Sequence, residues 1–203
     1  MNSLSELHLD ALSEVFNVGA GRAAASLSEI VGDEVRLSVP SVEIRKSSEL
    51  DLTAISLDSN RFGTVHQTFR GSFQAEALLL FTEEHALEIV RDMMGSQISL
   101  EDLAEFEQEA MCELGNIILN ACLSAMADML NIPLDCSLPD YTVATTEEIF
   151  RRVADDQTQP YVLLLHIDLA IEKRRSEGHL IFLLSSTSLE SLIFQIERYL
   201  GEI

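Results

Sequence analysis

Two constellations of acid, glutamate and asparagine recur along the 203 residues with the same internal spacing. The first is Asp10, Glu14 and Asn17, then 22 residues, then Pro40; the second is Glu109, Glu113 and Asn116, then the same gap, then Pro139. Carboxylates can hold a cation, and a primary amide donates and accepts hydrogen bonds at once, so it can hold a water molecule in a set orientation. At about 100° per residue, positions i, i+4 and i+7 fall on one stripe of a helix. Each triad therefore projects together. One such triad would read as an ordinary solvated helix face. Asparagine is a poor helix former, costing several tenths of a kcal/mol (about 0.5) against alanine. Its return at the same offset from glutamate, with a matching proline, points to a shared task.

The elements that must carry these residues follow from periodicity and punctuation. An internal repeat of about 99 residues is visible, each half running from a long helix through a Pro-marked turn into strands and then a shorter helix closed by glycine. In the first half Ser3 and Glu6 read as a capping box for a helix to about Ile30 with Gly32 as its stop. Strands are expected at Glu34–Ile44, Thr53–Leu57, Thr64–Arg70 and Ser72–Phe81, with a hairpin turn at Arg70–Gly71. Thr82 opens a helix to Met94, capped by Gly95. In the second half Ser99–Asp102 caps a helix to about Leu130, and Asn131 suits a left-handed cap. Strands are expected at Cys136–Thr145, Tyr161–Ile171 and His179–Ser185, with a turn at Arg174–Gly178, and a last helix at Thr187–Leu200 ended by Gly201.

Apolar stripes on the long helices, Leu4, Leu7, Ala11, Val15 and Val18 in one and Leu103, Phe106, Ala110, Leu114 and Ile117 in the other, lie about 110° from the triads. The triads are thus expected to face solvent or a partner. The fold class is α/β (α+β): an internally duplicated pseudo-two-fold domain with helices packed on a largely antiparallel shared sheet. One domain spans 1–203, in two repeats of about 1–97 and 98–203.

With its acid–Glu–Asn–Pro pattern present twice, the chain resembles the CheC branch of the CheC/CheX/FliY phosphatases of chemotaxis. Glu109 departs from the Asp or Ser of that pattern. The resemblance implies hydrolysis of the aspartyl phosphate of a CheY-like response regulator. It makes Asn17 and Asn116 the residues that position the attacking water, and Glu14 and Glu113 the partners of the regulator's active-site lysine. Asp10, Pro40, Glu109 and Pro139 complete the motif. Small residues beside the asparagines (Gly19, Gly21, Gly115) would let the helix enter a partner's pocket. No cofactor is implied from this chain, since the regulator supplies magnesium, and a CheD-like receptor deamidase is implied as a further partner. A non-catalytic adaptor for a response regulator is the alternative. A small-molecule hydrolase using Asp10 with Glu14 is disfavoured, because two carboxylates on one exposed face lack the separate environments of a general acid and base.

Composition narrows the partners. A net charge of −21 excludes nucleic acid and anionic membranes as binding surfaces. MNSLSELHLD has neither the basic nor the apolar segment of a signal peptide, and no run near the roughly 20 apolar residues of a membrane helix is apparent. Cys112, Cys122 and Cys136 form no CxxC pair, which suits a reduced cytoplasm, with Cys112 and Cys122 expected as small buried hydrophobes. His166 and Asp168 share one strand face, but two groups do not make a metal site.

Overall fold

Ser5 opens the first helix, α1 (Glu6–Val31): its hydroxyl accepts from the His8 N–H at 3.3 Å, and His8 Nδ1 accepts from the Ser5 N–H at 3.1 Å. The capping box thus closes two residues later than the Ser3–Glu6 frame, with an imidazole nitrogen in the role usually held by a carboxylate. The structure, a computed structural model, describes residues 4–49, 60–95, 100–153, 158–171 and 174–201. Ser3, Ser99 and the expected strand at Thr53–Leu57 fall outside them. Gly32 ends α1 at φ 75°, its N–H donating to the Ser28 carbonyl at 2.9 Å.

The remaining elements are β1 (Val35–Lys46), β2 (Arg61–Gly71), β3 (Ala75–Thr82), α2 (Glu83–Met94), α3 (Leu100–Leu130), β4 (Leu134–Cys136), β5 (Asp140–Thr145), α4 (Thr146–Val153), β6 (Tyr161–Ile171), β7 (Arg174–Leu184) and α5 (Ser186–Gly201). Thr82 caps α2, accepting from the His85 N–H at 3.1 Å, and Asn131 takes a left-handed φ of 52° after α3. Three expectations need correcting. Arg70–Gly71 is not the hairpin turn: β2 runs on through Gly71, where a Cβ would lie 2.1 Å from the Pro133 carbonyl oxygen, so glycine serves a backbone crossing there. Arg174–Gly178 is strand, because β7 pairs with β6 from Arg174 opposite Ile171 onward. The strand expected over Cys136–Thr145 is interrupted around Pro139, which has no N–H for a ladder.

All strand pairings are antiparallel, in one seven-stranded sheet ordered β1-β6-β7-β3-β2, with β4 and β5 both pairing with β2. Exchanging β1, β2 and β3 for β5, β6 and β7 gives the same order read backwards, centred on the β3–β7 pair. The main core lies between the sheet and α1, α3 and α5, with Phe16, Phe69 and Phe182 near its middle. A smaller core on the other face, from Phe62, Leu78 and Ile181, is covered by Ile149 and Val153 of α4. Phe106–Leu130 of α3 is, by length and composition, apolar enough to cross a bilayer, contrary to the expectation from sequence, and more than half of its most apolar window is buried in the fold. Packing on several sides accounts for that apolarity.

Candidate functional site

The first triad stands on the outer face of α1, with Asp10, Glu14 and Asn17 all exposed around a shallow depression shared with Ser13 and Val18. Neither Asp10 nor Glu14 has a hydrogen-bond or ion-pair partner among the described residues, so both carboxylates are available to a cation from outside. Asn17 is anchored differently. Its Oδ1 accepts from the Val39 N–H at 2.9 Å, and its Nδ2 donates to the Val39 carbonyl at 3.1 Å and to the Ser13 carbonyl at 2.9 Å. The side-chain amide therefore pairs with Val39 much as a neighbouring strand would. This happens where β1 slips its register with β6, between Ser38 and Ser41. Pro40 sits in that bulge and has no N–H to give a ladder. The spacing from Asn17 to Pro40 thus acquires a structural meaning: the asparagine holds the residue immediately before the proline. Both amide hydrogens are used, and one lone pair of Oδ1 remains.

The second triad is similar in sequence but not in setting. Glu109 and Glu113 are exposed and Asn116 is half-buried. All three border a groove of about 720 Å³ whose other walls are largely apolar, including Ile30, Met93, Met94, Phe106 and Leu138. Asn116 Oδ1 accepts from Asn120 Nδ2 at 2.7 Å, and Asn120 Oδ1 accepts from Cys136 Sγ at 3.1 Å. Leu138, which corresponds to Val39, is not held by Asn116 and is 90% exposed where Val39 is 2% exposed. Glu109 and Glu113, like Asp10 and Glu14, have no partner among the described residues.

The faces of the two helices differ from the simple stripes. Leu7 and Val18 are exposed, while Leu12, Val15, Phe16, Ala20 and Ala23 turn to the core. In α3, Phe106 is partly exposed, and Met111 and Ile118 join Leu103, Ala110 and Leu114 inside. Apolar side chains therefore flank each triad at the surface, a composition suited to a protein partner. Sequence periodicity missed this because an apolar residue at the edge of a helix's apolar stripe can turn to the core or to solvent. The glycines also differ from expectation. A Cβ on Gly19 would lie 2.5 Å from Cys122 Cα, and one on Gly115 would lie 2.4 Å from a Val65 methyl. Both serve internal packing, and only Gly21 opens onto free space beside Asn17. Cys122 is buried as expected; Cys112 is half-buried and lines the groove at the second triad.

A family model described as CheC-like matches residues 7–44, the stretch from α1 through the Val39–Pro40 bulge. The CheY-P phosphatase CheC of Bacillus subtilis is 25% identical over 145 residues, covering 70% of this chain and 69% of that protein. The flagellar motor switch phosphatase FliY of B. subtilis is 24% identical over 161 residues, which cover 77% of this chain but 42% of FliY. Among solved structures, Thermotoga maritima FliY matches with a TM-score of 0.79 at 19% identity, covering 98% of this chain and all of that one. At that identity the structural likeness speaks to the fold.

Proposed function

We propose that this chain, a CheC-like protein of the chemotaxis phosphatase family, hydrolyses the aspartyl phosphate of a CheY-like response regulator. The observation that carries the reading is the Glu–Asn pair on each of two helices, its glutamate exposed and without a partner among the described residues and its asparagine held by a hydrogen bond to its amide oxygen. An aspartyl phosphate is an acyl phosphate and already labile, so placing a water for in-line attack is the main help it needs. Asn17 Oδ1 has one lone pair left after the bond to Val39, and Asn116 Oδ1 has one left after the bond to Asn120. Each can accept one hydrogen of a water and aim the water's own lone pair at phosphorus. Glu14 and Glu113 pair with the regulator's active-site lysine and set the docking geometry. The regulator brings the magnesium. Asp10 and Glu109 stand one turn before the glutamates and reinforce the negative face. Pro40 and Pro139 punctuate the strand that follows each helix.

The apolar groove at the second triad, with Leu138 almost wholly exposed, supports a second reading in which this surface binds a regulator, or a CheD-like deamidase, without hydrolysis. A cytoplasmic setting accords with three free cysteines. The experiment that separates the readings follows the lifetime of a phosphorylated CheY-like receiver with magnesium present. A lifetime shortened in proportion to added protein is expected. An unchanged lifetime at saturating protein, across the receivers of the same organism, would leave the adaptor reading.

A further inference from the structure

His166 and Asp168 on β6 face Glu177 and His179 on β7 as direct cross-strand partners, Asp168 with Glu177 and His166 with His179. Side chains alternate along a strand. Leu165, Ile167 and Leu180 enter the main core under the helices, so these four residues share the opposite sheet face, away from both triads. His166 Nε2 lies 3.2 Å from Asp168 Oδ1. One donor atom from each of His166, Asp168 and Glu177 can be chosen so that all three lie within 4.8 Å of one another. Ligands at about 2.1 Å from a tetrahedral ion stand roughly 3.4 Å apart, so modest side-chain rotation would bring the three atoms to coordination distance.

The charges are not already spent. Arg36 pairs with Glu34. Arg175 lines the adjoining pocket with both carboxylates but forms no ion pair with either among the described residues. His179 adds an independent observation. It is 6% exposed, its ring stands edge-on to His166 with centroids 5.1 Å apart, and its Nδ1 is buried with no hydrogen-bond partner. A buried polar atom left alone is costly, and it is the kind of atom that an ion's coordination shell or a bound water satisfies.

We propose that His166, Asp168 and Glu177, with water completing the shell, bind a divalent first-row transition metal. One imidazole with two carboxylates matches zinc, and other late first-row ions, better than magnesium or calcium, which prefer oxygen-only shells. Bound there, the ion would clip β6 to β7 on the sheet face opposite the long helices, and would stabilise the fold by mass action. It would take no part in phosphate hydrolysis on the helical face.

The test uses the full chain stripped of metal and titrated with zinc by calorimetry and with cobalt(II) by visible absorption. One equivalent of each is expected to bind, with tetrahedral-type cobalt absorption and a raised Tm, and magnesium is expected to do neither. The double substitution Asp168→Asn with Glu177→Gln keeps side-chain size and should weaken zinc binding at least about 10-fold, as loss of direct ligands exceeds the effect of losing a supporting shell. His8→Ala, at the exposed start of α1, should leave it unchanged. Circular dichroism of the stripped double variant checks that it folds. Absence of saturable zinc binding to the parent chain, or binding that survives Asp168→Asn with Glu177→Gln, overturns the proposal. Either result is independent of phosphatase activity.

Discussion

At the scale of single residues, Asn17 has two tasks and Asn116 has one. Val39 is a buried residue whose N–H and carbonyl are both satisfied by the Asn17 amide. Removing that amide leaves a donor and an acceptor short of partners, which costs about 1–3 kcal/mol. Asn17→Ala should therefore lose about that much unfolding free energy in a denaturant titration. Asn116→Ala, which among the described residues loses one bond to another side chain and none to backbone, should cost less, about 1 kcal/mol or below. The glutamates act otherwise. Glu14→Ala with Glu113→Ala should weaken binding to the receiver, whereas Asn17→Ala with Asn116→Ala should chiefly slow turnover, since water positioning acts in the transition state. Equal binding losses in the two double variants would contradict that division. The Glu–Asn offset was readable from sequence because helical geometry is local. The Asn17–Val39 bond was not, because a gap of 22 residues means nothing until β1 folds back along α1. Nor did matching prolines reveal that Leu138 would stand in solvent where Val39 is buried.

At the scale of elements, α1 and α3 pass each other at Gly19 against Cys122, and Ile30 at the end of α1 lines the groove of the second triad. The two helices are therefore antiparallel neighbours, and each end carries one site. Gly19→Ala and Gly21→Ala make a sharp comparison two residues apart. A methyl on Gly19 would press on backbone and should cost about 1–3 kcal/mol through overpacking. A methyl on Gly21 meets nothing and should gain up to about 1 kcal/mol from better helix propensity. Chemical denaturation of both variants checks the signs. Element boundaries were legible where a side chain punctuates locally, as at Thr82, Gly32 and Asn131. α4 was missed although its signal was present: Thr145 and Glu148 close a capping box, with the Thr145 N–H donating to Glu148 Oε2 at 2.8 Å and the Glu148 N–H donating to Thr145 Oγ1 at 3.2 Å. The bonds that the Thr145 N–H and hydroxyl donate to it hold the Glu148 carboxyl below its usual pKa. The first half of β7 looked like a turn because Arg174 to Gly178 is polar. Gly178 is there because a Cβ would lie 2.6 Å from the Leu80 carbonyl oxygen.

At the scale of the molecule, the strand order that reads alike from both edges supports two repeats related by a pseudo-two-fold axis between β3 and β7. Two such repeats would place one triad on each long helix, which is the expectation that the sequence period of about 99 residues raises. What the period conceals is how far the halves have diverged, in the split β4–β5 edge, in α4 and in the apolar groove beside Asn116. The two sites should consequently be unequal. Asn17 is held by three hydrogen bonds and is the more preorganised of the two, which favours it as the stronger water holder. Gly19 packs against α3 and supplies no room for a partner. The most direct measurement is the initial rate of phosphate release from a phosphorylated CheY-like receiver, with magnesium, for the parent, Asn17→Ala, Asn116→Ala and the double variant, each confirmed folded. The account predicts clear acceleration by the parent, partial activity in both single variants with Asn17→Ala the slower, and none in the double. Undiminished acceleration by the folded double variant would contradict it.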